Sequence, residues 1–243
     1  MAPTPTHGPS TVPARAPDSA PEVLDRRRGP HGEVVLRRHG DLLQIIANGC
    51  FLMDTSDGRS ERLLVTAALE ELDERPSPAV LIGGLGVGFS LAEAAAEPRW
   101  GRIEVAEREA AVLDWHRDGP LRALTAEALA DPRVRLTGTD LTQYLRSTPT
   151  RWDALCLDID NGPGWTVTED NGGLYSPAGL AVCAERLTEG GVLAVWSAHP
   201  SPGFERDLRN AGFTRVRTRE VPVARGVPDV LFLASHHLAR QDS

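Results

Sequence analysis

The chain has 243 residues, a formal net charge of −8, 25% charged and 41% hydrophobic residues. That length suits one α/β domain with a small appendage and a full core, and the acidic balance makes a nucleic-acid backbone a poor partner. No apolar run approaches a membrane span, so no membrane partner is expected. All 26 basic residues are arginine, which excludes a lysine Schiff base, the usual pyridoxal-phosphate (PLP) mechanism and the P-loop lysine of ATPases.

Met1 to Pro21 are rich in Pro, Ala, Ser and Thr and lack an apolar h-region. They read as a disordered tail, not a signal peptide, in a cytoplasmic protein. The tail is expected to run to about residue 30, with Arg26-Arg27-Arg28 as a solvated charge cluster near its end. Cys50, Cys156 and Cys183 lie far apart in apolar surroundings and are expected as small core residues in a reducing compartment. No C-x-x-C pair or His/Cys cluster has metal-ligand spacing, and His236-His237 reads as a polar end, so no metal is expected.

Three strand-like runs follow the tail: Glu33–Arg38, Leu42–Ala47 and Cys50–Met53. Asn48-Gly49 between the last two is a strong hairpin signal. This meander, assigned to residues 31–58, is too small to be stable alone and must pack on the main domain or across a two-fold, so a homodimer is possible. A helix is predicted over Ser60–Leu72, apolar at Leu63, Leu64, Ala67, Ala68 and Leu72.

Alternation follows: strand 79–82, helix 88–97, strand 102–106, helices 108–116 and 120–130, strand 133–137 and a helix from Leu141. Strand 153–157, a long loop to Pro177, helix 178–187, strand 191–196, helix 203–211 and strands 213–220 and 229–234 complete the chain. Strands alternating with helices predict an α/β, doubly wound, mostly parallel sheet of seven strands. The last two strands lack a helix between them, which makes the ending an antiparallel hairpin, as in class I methyltransferase folds. A Rossmann-like domain is thus expected over residues 59–238.

The glycine turn Gly83-Gly84-Leu85-Gly86-Val87-Gly88 follows the apolar strand Ala79-Val80-Leu81-Ile82. Glycines let the backbone approach a ligand, and the following helix N-terminus favours an electron-rich group. Phe89 stands where a dinucleotide fingerprint would place its third glycine, so the turn looks more like an S-adenosylmethionine (AdoMet) site. An ordinary strand-to-helix turn is the plainer alternative.

Ligands of such a sheet bind outside the carboxyl ends of its strands. Glu107 ends the second strand, where it can accept from ribose hydroxyls or start a helix in solvent. Asp140 can accept from the adenine amine or cap the helix that follows. Asp158-Ile159-Asp160-Asn161 leaves a buried strand, and carboxylates there are costly unless used or hydrogen-bonded. Asp158 and Asp160 are the catalytic candidates, with turn capping as the alternative. The loop from Gly164-Trp165 to Tyr175 suits a lid or substrate wall, with Tyr175 as a third candidate. His199 is either a base or a plain loop histidine.

In this order the residues resemble the spermidine synthase-like (polyamine aminopropyltransferase) family over roughly 33 to 235. The family's G-G-G-D-G-G motif falls on Gly83 to Gly88. The resemblance implies Glu107 as the ribose acid, Asp140 on the adenine side, and Asp158 as the acceptor of the attacking amine's proton. Three departures concern the substrate half. The motif's aspartate falls on Gly86, the second acid of D-x-x-D on Asn161, and the Tyr/His/Glu element has no clear counterpart in Ser60-Glu61-Arg62-Leu63. Fewer acids weaken the case for a polycation. Glycine at 86 also removes a carboxylate that would repel intact AdoMet.

The resulting expectation is a transferase that uses AdoMet, needs no metal or PLP, and attacks the three-carbon arm to release methylthioadenosine. The acceptor is an external amine, or the substrate itself, which would give a small cyclic amino acid. Small-molecule methyl transfer and a non-catalytic AdoMet-binding protein are the alternatives.

Overall fold

The structure, a computed structural model, describes residues 20–159, 161–163, 173–223 and 226–237. Its chain opens with four antiparallel strands in the order β1 (Glu22–Gly29), β2 (Gly32–His39), β3 (Leu42–Ala47) and β4 (Cys50–Asp54). Alternation in β2 and β3 turns Val34, Leu36 and Ile45 into the core. Asn48 and Gly49 both take positive φ, +51° and +79°, as a tight primed turn requires.

β1 is a correction to the expected tail: residues Glu22–Gly29, counted in it, form a strand; residues 1–19 lie outside the described ones. The strand has no apolar alternation; it pairs with β2 and packs Leu24 against the core, and polar side-chain contacts add to these. Asp25 accepts from the Trp115 indole at 2.8 Å, and Arg27 reaches Asp114 at 2.6 Å. Asp25 and Arg27 thus pin an edge strand to the main body, while Arg26 and Arg28 pair with Glu33 of β2.

The second sheet has seven strands in the order β10-β11-β9-β8-β5-β6-β7. These are β5 (Ala79–Gly83), β6 (Arg102–Glu107), β7 (Val134–Gly138), β8 (Trp152–Leu157), β9 (Leu187–Ser197), β10 (Thr214–Val221) and β11 (Asp229–Ser235). β5 to β9 pair in parallel, and β11 runs antiparallel to both β9 and β10. Central strands are apolar on both faces: Val80, Leu81 and Ile82 are fully buried, as a helix-covered parallel sheet requires.

Among the described residues the helices are α1 (Arg59–Glu70), α2 (Phe89–Ala96), α3 (Ala110–Arg117), α4 (Arg122–Ala130), α5 (Leu141–Ser147), α6 (Pro177–Glu185) and α7 (Pro202–Asn210). Two apolar clusters result, one containing Leu64, Leu91 and Ile103, the other Leu155, Leu180 and Phe232. β9 is longer than its apolar run, because Gly190 and Gly191 bond to the His236 backbone. α3 starts two residues later than expected, because Glu107 takes the Glu109 amide.

Polar clamps close the far end of the sheet. Asp153 accepts from the Ala79 amide at 2.7 Å and from Thr188 at 2.7 Å, and pairs with Arg75 at 2.5 Å. The strand order reverses between β5 and β8, which opens a crevice at their carboxyl ends.

Cys156 and Cys183 are buried as expected, but Cys50 is exposed. It begins the outward-facing end of a hairpin rather than a core strand. Among the described residues no helix is long and apolar enough to cross a membrane.

Candidate active site

The glycine turn bridges β5 and α2, and Gly84, Gly86 and Gly88 all have positive φ (+92°, +51° and +96°). A Cβ on Gly84 would fall 2.2 Å from the Asp158 carbonyl oxygen, so only glycine lets the turn meet the exit of β8. Backbone bonds from Gly84 N to Ala106 O and from Asp158 N to Gly83 O, both 2.9 Å, tie the three strand ends together.

Beneath the turn lies fully buried His116. Its Nε2 is 2.9 Å from Gly86 O and its Nδ1 2.8 Å from Thr125 Oγ1. A carbonyl only accepts, so Nε2 carries the hydrogen and Nδ1 accepts from threonine. Burial pushes the imidazole pKa down, which keeps this neutral tautomer.

Glu107 is 8% exposed at the end of β6. Its Oε2 accepts from Leu85 N at 2.9 Å and its Oε1 from Glu109 N at 2.7 Å. Burial pushes its pKa up, opposed by those amides. A carboxylate has lone pairs beyond these two bonds, so the geometry leaves it able to accept from a diol. Asp140 caps α5, accepting from Gln143 N at 2.8 Å, and also lines the cleft.

Above the turn is a cleft of about 1170 Å³, ample for an adenosine ligand and a second substrate. Gly84, Gly86, Glu107, Thr139, Asp140 and Asp158 form its main-sheet side; Ile45 and Met53 face them from the N-terminal sheet. Met53 Sδ accepts from Val87 N at 3.3 Å, so the meander closes the cleft over the glycines.

The other end of the cleft is acidic. Asp158 Oδ2 is 2.8 Å from Ser90 Oγ, which is also 3.2 Å from the Glu61 carbonyl. When Asp158 is ionised, Ser90 donates to it; when Asp158 is protonated, it can donate to Ser90, which then donates to the carbonyl. Both protonation states therefore have a partner. Burial pushes the Asp158 pKa up to about 6, with Asp229 adding repulsion. Glu61 on α1 is 7% exposed, and burial followed by the Asp158 charge pushes it up to about 7. Ser60 Oγ joins Glu61 Oε2 (3.0 Å) to Asp229 Oδ2 (2.6 Å) and accepts from Trp196 Nε1 at 3.1 Å. Burial raises Asp229 as well.

The fold thus brings Gly84, Gly86, Glu107, Asp140 and Asp158 to one cleft, with Gly83 and Gly88 shaping the turn behind it. Tyr175 does not join them. It is buried among core residues, stacked edge-on against Phe204, with its hydroxyl directed at the Ile159 carbonyl. Its position in a short 3₁₀ turn before α6 faces the sheet rather than the cleft. Asp160 lies outside the described residues, as does loop segment 164–172. His199 lines the cleft.

Glu61 and Asp229 were not among the sequence candidates. Glu61 is masked in sequence by a charged helix start, and Asp229 by lying at a strand's amino end, where this fold rarely places a ligand group.

No protein-family model matches the chain. Polyamine aminopropyltransferases 2 and 1 of Ralstonia nicotianae are each 24% identical over 182 residues, 74% of this chain but 34% and 33% of theirs. The polyamine aminopropyltransferase of Clostridium perfringens is 30% identical over 149 residues, 60% of this chain and 49% of that one. The chain therefore spans only about a third to a half of these relatives' length. Spermidine synthase from Thermotoga maritima superposes with a TM-score of 0.70 at 19% identity, over 88% of this chain and 72% of that one. The chain has a spermidine synthase-like fold.

A spermidine synthase in complex with the transition-state analogue AdoDATO gives a TM-score of 0.71 at 18% identity, over 88% and 73%. The spermidine synthase-like fold accounts for both sheets: the small antiparallel one and the seven-stranded one, with its cleft between them.

Proposed function

We propose that the protein is an AdoMet-dependent transferase of the aminopropyltransferase type, acting on the three-carbon arm with release of methylthioadenosine. The observation that carries this reading is Asp158: a carboxylate at the exit of β8, beside the glycine turn, with its pKa raised toward neutrality and a hydroxyl partner for either protonation state. A group so poised suits a base that takes a proton near pH 7.

The residues fit an adenosine donor. The glycine turn gives close backbone approach, Glu107 retains accepting capacity toward a ribose, and Asp140 stands at the neighbouring strand end. A sulfonium donor supplies an electrophilic carbon with a neutral thioether as its leaving group. The acceptor's nitrogen forms the new bond to that carbon, the C–S bond breaks with its electron pair left on sulfur, and the nitrogen's surplus proton passes to Asp158. Positioning supplies most of the acceleration, since neither bond requires a covalent protein intermediate.

Gly86 presents no carboxylate at the turn, and this favours intact AdoMet over its decarboxylated form as donor. The acceptor is an amine. Glu61, Asp158 and Asp229 on one wall make an external, cationic amine a better fit than cyclisation of the donor itself, for a cation offsets their mutual repulsion. The expected product of incubating the protein with AdoMet and small amines is methylthioadenosine, lost in Asp158→Asn. S-adenosylhomocysteine as the sole product would instead establish methyl transfer.

A further inference from the structure

Beyond the acids already described, the wall of the cleft changes character. Asp229 opens β11, and the chain before it is tied to the start of α1, where Arg59 donates to the Pro222 carbonyl at 3.1 Å. From that stretch Val223 and Val227 line the cleft, joined by Trp196 from the end of β9 and by Phe51 and Leu52 from β4. The Trp196 indole donates to Ser60 Oγ at 3.1 Å, so this apolar wall directly borders the acids.

Two observations say what this wall is for. Among the described residues the exposed large apolar side chains are Val23, Phe51, Leu124 and Val227, and two of them, Phe51 at 50% and Val227 at 51%, line this one cleft. A single exposed apolar side chain means little, but several in one concave site make a ligand surface. The second observation is that the neighbouring acids are already satisfied. On the connection from β4 to α1, Asp57 pairs with Arg59 at 2.9 Å, and Asp54 accepts from the Ser56 amide at 2.9 Å and from the Gln44 side chain at 3.3 Å. Asn161, which also lines the cleft, is neutral. A second ammonium group on the acceptor would meet Arg59 and apolar side chains there, with nothing to offset its lost hydration.

We propose that the acceptor is a monoamine with an apolar body, an alkyl- or arylalkylamine, and that Phe51 and Val227 select it. Its one nitrogen is the reacting one, and its body lies along Trp196, Val227 and Phe51, covering apolar surface that water otherwise wets. Removing that surface from water is what favours a longer or aromatic amine over a diamine of similar length. This rests on the amine-transfer reading above and names its acceptor class, but it concerns binding and can be measured without turnover.

The test is calorimetric titration of butylamine, hexylamine, 2-phenylethylamine and 1,4-diaminobutane into the full chain with methylthioadenosine present. Hexylamine should bind about tenfold more tightly than butylamine, the effect of two buried methylenes, and 2-phenylethylamine should match it. 1,4-Diaminobutane should bind more weakly than butylamine. In the double variant Phe51→Ala, Val227→Ala the hexylamine affinity should fall about tenfold while that of the diamine changes by less than about twofold. Both side chains are half exposed, so an unchanged thermal midpoint is expected, and the wild-type series decides the acceptor class without the variant. A diamine that binds more tightly than butylamine, an affinity that does not rise from butylamine to hexylamine, or a hexylamine affinity unchanged in the double variant would overturn the proposal. Methylthioadenosine formed from AdoMet and the diamine would then leave the transfer reading standing. Length-dependent monoamine binding without any methylthioadenosine formed from AdoMet would instead sustain the proposal and sink the transfer reading.

Discussion

Met53 occupies the space into which a side chain on Gly86 would grow: a Cβ built there falls 2.3 Å from Met53 Sδ. The same sulfur accepts from the Val87 amide, so strand β4 and the glycine turn are fitted to each other across the cleft. Gly86→Asp, the change that would introduce a carboxylate into the turn, therefore meets both a positive φ of +51° and a filled site. We expect it to destabilise the protein by about 1–3 kcal/mol. Met53→Ala should remove part of that penalty, leaving the backbone strain. Chemical denaturation of the single and double variants measures the coupling; strictly additive losses would show that Met53 is not the obstacle.

Asp158 must be ionised to accept a proton, and its pKa and that of Glu61 are pushed up to about 6 and about 7. Turnover should therefore rise with pH across the range 5 to 7.5 as these coupled acids lose their protons. Asp158→Asn should abolish turnover at every pH while leaving methylthioadenosine binding nearly intact. Full activity in that variant would remove Asp158 from the base role.

Stability should carry the opposite pH signature. A buried acid with a raised pKa favours the folded state while neutral, so the contribution of Glu61 is fully present below its ordinary value of 4.5 and lost as pH rises toward 7. His116 and His236 have lowered pKa values and act in the other direction below 6.5. The comparison between wild type and Glu61→Gln cancels them. The stability gained by the variant, relative to wild type, should grow between pH 5 and 8, as read from thermal midpoints. A difference that stays flat with pH would mean that Glu61 is not titrating there.

His116 holds the Gly86 carbonyl from beneath, so His116→Leu leaves that oxygen without its partner. The expected cost is about 1–3 kcal/mol of stability, with a weaker affinity for methylthioadenosine because the turn is freed. Glutamine, which can still donate to Gly86, should recover part of both. Equal losses for leucine and glutamine would show that packing alone matters at this position.

The sequence made the seven-stranded sheet legible because strands such as Val80-Leu81-Ile82 are continuous apolar runs and the glycine turn punctuates the first of them. Gly84, Gly86, Glu107 and Asp158 could be assigned from their place after strands. β1 was hidden, because Asp25 and Arg27 hold it by side-chain bonds to α3, which leave no periodic pattern. Tyr175 illustrates the converse: a loop aromatic is compatible with a cleft wall or the core, and only packing against Phe204 decides. Glu61 and Asp229 are 168 positions apart in sequence, and only Ser60 between them shows that they share a site.

The most direct measurement of the central claim follows the methyl group of the donor. AdoMet carrying a ¹³C-labelled S-methyl is incubated with the protein and a small amine, and the products are separated by mass. Transfer of the three-carbon arm places the label in methylthioadenosine and leaves the acceptor unlabelled. A labelled acceptor together with unlabelled S-adenosylhomocysteine would contradict the account.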